Sequence, residues 1–378
     1  MPDVPDTPVQ VEPLAPLPLT YPVYCAPGAL GALGHIVQQH APAHRYVVIS
    51  DEVVAPLHAA RVMAALQQIA PAERSTLFTL PAGEEHKTRA EWARLSDALL
   101  AWGAGRDTSI LALGGGVVGD LAGFVAATFM RGVPVVQLPT TLLAMVDAAV
   151  GGKTAVDTPA GKNLVGAFHD PAAVVMDTAL LNTLPPAVLR TGLAEMLKHG
   201  VLADAAYFAQ VEETGRRLAL LDDRARAAAL TPLVADSVRI KAAVVADDAR
   251  EGGKRQVLNF GHTIAHAIEK LLDYRLPHGD AVALGMIVEA QLAELSGVAR
   301  EPLARRIREA LTAVGLPTTL PAGVDRDAVL RETLGDKKAR AGAARYALPL
   351  ALGEMDPAEG RWSRPVADAL VRQALDAI

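Results

Sequence analysis

Residues 108–130 read TSILALGGGVVGDLAGFVAATFM. An apolar run ends in three glycines and passes straight into an apolar helical pattern. A strand that feeds a helix through a tight glycine turn opens a βαβ unit, and such units build parallel sheets with helices on both faces. Gly114, Gly116 and Gly119 take the spacing G-x-G-x-x-G, in which backbone N–H groups and the helix N-terminus approach a pyrophosphate. The acid expected about 20 positions further on is absent, because Gln137 and its neighbours are neutral. On these residues alone the loop is either a dinucleotide site or a plain strand-to-helix turn.

The surrounding chain repeats the alternation. RYVVIS (45–50), STLFTL (75–80), VPVVQLP (133–139) and AAVVMD (172–177) are further strand candidates, and VAPLHAARVMAALQQI and AEWARLSDALLAWGA are helical. After residue 184 the texture changes to successive helical patterns at 186–200, 205–222, 224–247, 261–272, 279–296 and 302–314. RYALPLAL (345–352) is the one late strand-like piece. The expected organisation is a Pro-rich, disordered arm (1–20), an α/β domain (21–184) and a helical domain (185–378). With 378 residues, 51% of them hydrophobic, the chain can fill two cores.

Composition excludes several classes. A net charge of −6 with scattered basic residues argues against a nucleic-acid binder. The one cysteine, Cys25, rules out an intrachain disulfide and suits a reducing compartment. The N-terminus lacks the basic and apolar regions of a signal peptide. The most apolar stretch, 133–152, is interrupted by Pro134, Pro139 and Asp147, so it reads as strand plus helix rather than a membrane span. The expectation is a soluble cytoplasmic protein with no membrane partner.

Three further stretches carry chemistry. In PTTLLAMVDAAVGGKTAVDTPAGKN (139–163), Lys153 and Lys162 each follow a glycine, with Thr140, Thr141, Asp147 and Asn163 nearby. This suits a bound anion, or else a solvated loop with two surface lysines. In GLAEMLK, Glu195 and Lys198 stand three apart in an apolar helix, as a surface pair would. Lys241, Arg255, Asn259, His262, His266 and His278 then gather in one region. His262 and His266 share a helix face at a spacing of four, and three histidines this close point to a metal, with zinc the default and Glu195 or Glu269 the carboxylate. The bland alternative is a set of satisfied core histidines.

GGGVVGD, MRGV, QLPTTLLAMVDAAVGGKTAVDTPAGKN, GLAEMLK, LNFGHTIAHAIE and LPHGDAVALGM occur in an order and spacing that resemble the 3-dehydroquinate synthases, over roughly residues 22–355. The resemblance implies an N-terminal Rossmann-like NAD-binding domain and a C-terminal helical metal-binding domain, with the active site in the cleft between them, in a homodimer. It implies conversion of 3-deoxy-D-arabino-heptulosonate 7-phosphate into 3-dehydroquinate and phosphate, the second step of the shikimate pathway. Oxidation at C5 by NAD acidifies the C6 proton, which the substrate phosphate itself takes. Phosphate then leaves, C5 is reduced again, the ring opens and an aldol closure follows. A divalent metal, Zn2+ or Co2+, acts as Lewis acid.

Residue by residue, the resemblance implies metal ligands at Glu195, His262 and His278, which removes Glu269 from the set. His266 falls beside the substrate phosphate, with Lys153, Asn163 and Arg131, the last reaching across the dimer. Arg255 and Arg345 match carboxylate contacts, and Asp147, Lys198, Lys241 and Asn259 match groups around the ring hydroxyls. For NAD the matches are Asp51, Glu84, Lys87, Gly116, Gly119, Asp120, Thr140, Thr141, Lys153, Lys162 and Thr183. The ribose acid missing after the glycines is thus drawn from other loops. The competing readings are a sister cyclase (2-deoxy-scyllo-inosose or 2-epi-5-epi-valiolone synthase), a metal-dependent polyol dehydrogenase, and a scaffold without catalysis.

Overall fold

The computed structural model describes residues 11–15, 17–248, 250, 252–336 and 344–378. By packing, the chain forms two compact units: one runs through Leu184 and adds Asp222–Val238, and the other comprises Pro185–Leu221 and Arg239–Ile378.

The first unit is a six-stranded, all-parallel sheet. From one edge it runs β1 (Val23–Ala26), β8 (Ala173–Asp177), β5 (Val135–Pro139), β4 (Thr108–Gly114), β2 (Arg45–Asp51) and β3 (Ser75–Leu80). Its strands read as unbroken apolar runs because both faces are covered. On β2, Tyr46 and Val48 join one core while Val47 and Ile49 join the other; on β4, Leu111 and Leu113 oppose Ile110 and Ala112 in the same way. Helices α1 (Leu33–His40) and α2 (Ala60–Gln67) fill the first face. The second carries α3 (Arg89–Ala101), started by the Thr88 hydroxyl accepting the Glu91 N–H, and α4 (Gly116–Thr128). Between β2 and β4 the strand order reverses direction, so the C-terminal ends of these neighbours frame the crevice where α/β sheets hold ligands.

Three features go beyond the sequence reading. The segment 153–168, for which a solvated loop was the bland alternative, is an antiparallel hairpin, β6 (Lys153–Thr158) and β7 (Gly161–Phe168), with a register shift after Val156. β1 was not foreseen, because four residues between prolines show no period; its pairing with β8 spans some 150 residues of chain. Residues 222–238 group with the sheet unit, not the helical one. Thr231 shares a hydrogen bond with Thr178 (2.7 Å), and its carbonyl accepts the Cys25 thiol (3.9 Å).

Part of the N-terminal arm is also ordered. Pro13 bridges to Tyr24, the Leu14 N–H donates to the Val23 carbonyl at 2.8 Å, and Val11 packs on the core. The disorder expected of residues 1–10 lies outside the described residues.

The helical unit holds α5 (Pro186–Ala203), α6 (Ala205–Arg217), the end of α7 (Asp223–Asp247), α8 (His262–Leu271), α9 (His278–Leu295), α10 (Ala304–Ala313), α11 (Arg326–Asp336) and α12 (Asp368–Ala374). Prolines or Asp caps set several starts: Pro186 opens α5, Pro277 precedes α9, and Asp204 accepts two N–H groups of α6. A two-residue strand, β9 (Arg345–Tyr346), pairs antiparallel with Arg364–Pro365. Among the described residues no helix is long and apolar enough to cross a membrane.

Candidate functional site

In the helical unit Glu195 projects from the middle of α5, while His262 and His278 are the first residues of α8 and α9. A glycine brings two of these helices together: a Cβ on Gly279 would lie 2.1 Å from the Thr191 carbonyl oxygen, so only glycine lets α9 start against α5 beside Glu195. One ligand atom each of Glu195, His262 and His278 lie within 4.8 Å of one another. Nε2 of His262 stands 3.6 Å and Nε2 of His278 3.7 Å from Glu195 Oε1. A tetrahedral ion with ligands near 2.1 Å separates its donors by about 3.4 Å, so the triangle is close to the right size.

The chemistry of the donors also fits. Glu195 is 0% exposed and is paired with the buried Lys198 ammonium, three residues further along α5. Burial pushes its carboxyl up, but the Lys198 ammonium beside it, then His278 and His262, outweigh that and hold it well below the usual carboxylate range. Burial and Lys198 hold His262 well below the ordinary imidazole value, so it is neutral. Its Nδ1 faces the Phe260 carbonyl at 3.2 Å. A carbonyl only accepts, so Nδ1 carries the hydrogen and Nε2 keeps its lone pair.

His278 turns Nδ1 to Glu269 at 3.4 Å. Glu269, which the resemblance removes from the ligand set, meets His278 on the side away from Glu195, which no spacing argument shows. Glu195 and Glu269 outweigh burial and push His278 up to about 10. His266 is outside the triangle, with its ring 5.5 Å from His262 and 6.5 Å from His278, centre to centre.

Around this centre Lys198 is buried and donates to the Leu258 carbonyl at 2.9 Å. Arg255 is buried in the turn before α8, and its N–H is held at 3.1 Å by Asp248, which also takes the N–H groups of Gly252 and Gly253. Asn259 ends that turn, and Lys241 is buried on α7. The Thr263 hydroxyl, beside His262, donates to the Arg345 carbonyl at 3.1 Å. The Arg345 guanidinium binds Ser363, whose hydroxyl donates to Gln256 next to Arg255. The structure therefore brings Arg345 to the α8 end of this unit.

In the sheet unit the named residues collect at the C-terminal strand ends. Asp51 ends β2 and accepts the Val53 and Val54 N–H groups at 2.9 and 2.8 Å. Gly116, Gly119 and Asp120 lie in the first turns of α4. Thr140 follows β5, where its N–H donates to the Gly114 carbonyl at 2.9 Å. The Thr140 hydroxyl is buried, with no hydrogen-bond partner among the described residues, which suits a ligand group. Thr141 accepts the Ala144 N–H, and Thr183 bonds His58. The neutral Gln137 does not reach outward; it donates to the Gly119 carbonyl at 3.1 Å and packs β5 on α4.

Lys87 is 3% exposed and meets three carboxylates, Asp120 and Glu84 at 3.1 Å and Asp157 at 3.9 Å. Burial pushes Asp120 up to about 6 against the pull of Lys87. Asp157, unnoticed in the sequence, also accepts the Asn163 N–H at 2.8 Å and so shapes the turn that carries Lys162 and Asn163. Asn163 is left-handed at φ 57, and Met130 and Arg131 are left-handed in succession at φ 51 and 71. Such backbone is retained mostly where function needs it. Asp147 lies on the helical turn Ala144–Ala148, and Lys153 opens β6.

Comparison with known proteins covers nearly the whole chain. Residues 77–191 match the family model for the N-terminal part of 3-dehydroquinate synthase, and 192–339 that for its C-terminal part. The chain is 45% identical over 338 residues to a 3-dehydroquinate synthase of Symbiobacterium thermophilum, covering 89% of this chain and 92% of that one. Among solved structures it resembles a 2-epi-5-epi-valiolone synthase of Streptomyces hygroscopicus subsp. jinggangensis with NAD+ and Zn2+ bound. That match has a TM-score of 0.83 and 28% identity, over 97% of this chain and 98% of that one. A 2-deoxy-scyllo-inosose synthase complexed with carbaglucose-6-phosphate, NAD+ and Co2+ shares the fold at TM-score 0.86 and 24% identity, over 98% of this chain and 100% of that one.

Proposed function

The chain belongs to the 3-dehydroquinate synthase family, and from that premise we propose how its residues carry the reaction. It is a phosphate-eliminating lyase that converts 3-deoxy-D-arabino-heptulosonate 7-phosphate into 3-dehydroquinate and phosphate, with NAD and Zn2+ or Co2+ as cofactors. When bound, NAD would supply reversible hydride transfer at C5, and the ion would supply Lewis-acid stabilisation of negative charge on oxygen.

The observation that carries the assignment is the Glu195–His262–His278 triangle, close to the size one ion needs. Glu195, His262 and His278 hold the ion, and Glu269 fixes the His278 ring. Asp51, Glu84, Gly116, Gly119, Asp120, Thr140, Thr141, Lys153, Lys162 and Thr183 hold NAD; the buried Thr140 hydroxyl supports this. Lys87, already matched by three carboxylates, acts there by fixing Glu84 and Asp120. Lys153, Asn163, His266 and Arg131 bind the phosphate and hold it ready to take the C6 proton. Arg255 and Arg345 hold the carboxylate, and Asp147, Lys198, Lys241 and Asn259 orient the ring hydroxyls.

Two finer points belong to the same reading. The chain works as a cytoplasmic homodimer in which Arg131 serves the partner's site. The strained Met130–Arg131 turn supports this, as do the exposed Leu164 and Phe168, spaced four apart along β7. Light scattering that gives a monomer mass would remove the partner from the scheme.

The substrate test is incubation with the heptulosonate phosphate, NAD+ and Co2+. Phosphate appears without net NADH, and chelator or His262→Ala stops it. Stoichiometric NADH, or turnover of glucose 6-phosphate in its place, would sink the assignment in favour of a dehydrogenase or a sister cyclase.

A further inference from the structure

Glu289 lies on α9, about three turns past His278, and is 0% exposed among alanines, valines and leucines. Burying a carboxyl is costly unless it is hydrogen-bonded. Burial pushes it up to about 8, against the N–H groups of Gly261, Ile264 and Thr263 that pull it down. Its Oε2 accepts the Gly261 N–H at 2.8 Å, and its Oε1 takes the Ile264 N–H at 3.4 Å.

α8 begins after Gly261, which is left-handed at φ 81 and offers no side-chain cap. Glu289 is thus the cap of α8, supplied from another helix. The approach depends on Gly285, where a Cβ would lie 1.8 Å from the Gly261 carbonyl oxygen.

The geometry reaches further than capping. The Gly261 N–H and the Phe260 carbonyl are the two ends of one peptide group, pointing in opposite directions. Glu289 takes the N–H end at 2.8 Å, and His262 Nδ1 donates to the carbonyl end at 3.2 Å. A peptide that donates at one end accepts more strongly at the other. A stronger acceptor on Nδ1 fixes the ring and makes Nε2 a better ligand.

We propose that Glu289 is a positioning residue for the metal centre, acting on His262 through the Phe260–Gly261 peptide. The role rests on the reading of Glu195, His262 and His278 as the metal site. It does not depend on the charge of Glu289, because either form offers lone pairs to Gly261.

The test is titration of the metal-free full chain with Co2+ alone, followed by visible absorption and calorimetry. Glu289→Met keeps the volume and removes both acceptors, so its Kd for Co2+ should rise about tenfold, with shifted or broadened visible bands. Glu289→Gln keeps an oxygen for Gly261 and should recover most of the loss. A merely structural role would lower the unfolding midpoint and leave Kd and spectrum alone.

A folded Glu289→Met chain with wild-type Kd and bands overturns the proposal, as does a Glu289→Gln chain no better than Glu289→Met. Should Glu289→Met not fold, Glu289→Ala, where water can reach the Gly261 N–H, carries the same comparison. A wild-type chain that binds no Co2+ would be a different failure, that of the metal centre itself.

Discussion

At the C-terminal edge of the sheet the polar groups come from strand ends and turns: a glycine turn, threonine hydroxyls, and a lysine already matched by three carboxylates. In the helical unit three ligand atoms come from residues 195, 262 and 278, and the two imidazoles are each held on the far side, one by a peptide and one by Glu269. The sheet edge relies on backbone shape and carries its own compensation of charge. The helical centre gathers buried charge around Glu195, with Lys198 and His278 beside the carboxylate. One should therefore tolerate side-chain changes that the other does not.

The largest effect expected is at a ligand. His262→Ala should abolish both Co2+ binding and phosphate release, while His266→Ala keeps the metal and loses turnover; metal analysis beside an activity assay separates them. Metal lost with His266→Ala would make both histidines ligands.

The sheet edge should answer differently. Lys87→Met strips three carboxylates of their cation and should cost about 3 kcal/mol of stability, less than a fully buried pair because the partners are partly exposed. Urea unfolding reads this, with Co2+ affinity unchanged. An altered Co2+ affinity would show that the two regions are not separable.

The smallest change per measured step is a pH slope, at most about 1.4 kcal/mol per pH unit. Glu289 is held near 8 in the folded chain and titrates at about 4.3 when unfolded. Between these values folding takes up a proton, so this contribution is full below pH ~4.3 and is lost as pH rises through about 8. The difference is a few kcal/mol at most. Unfolding of chelated wild type and Glu289→Gln across pH 5–8 should converge in slope only if another group is responsible.

Legibility followed the range of the interaction. The strands from 45 to 177 and the helices from 186 to 313 were readable because period and apolar runs are local. The β6–β7 hairpin was not, since its glycines and lysines look like a loop and its ladder is visible only once paired. The grouping of Glu195 with His262 and His278 came from whole-chain resemblance, whereas spacing alone had offered the His262–His266 pair. Glu289 was passed over as one acid in an apolar helix.

By itself, the order of residues indicated a glycine turn between strand and helix, and it offered three histidines and an acid to a metal and lysines beside glycines to an anion. These follow from side-chain chemistry and near-neighbour geometry. Only the tertiary structure decided which nitrogen of His262 is free, that Glu269 steadies His278, and that Glu289 grips the peptide behind His262. Those hydrogen bonds join separate turns and helices, and no local period encodes which lone pair faces which proton.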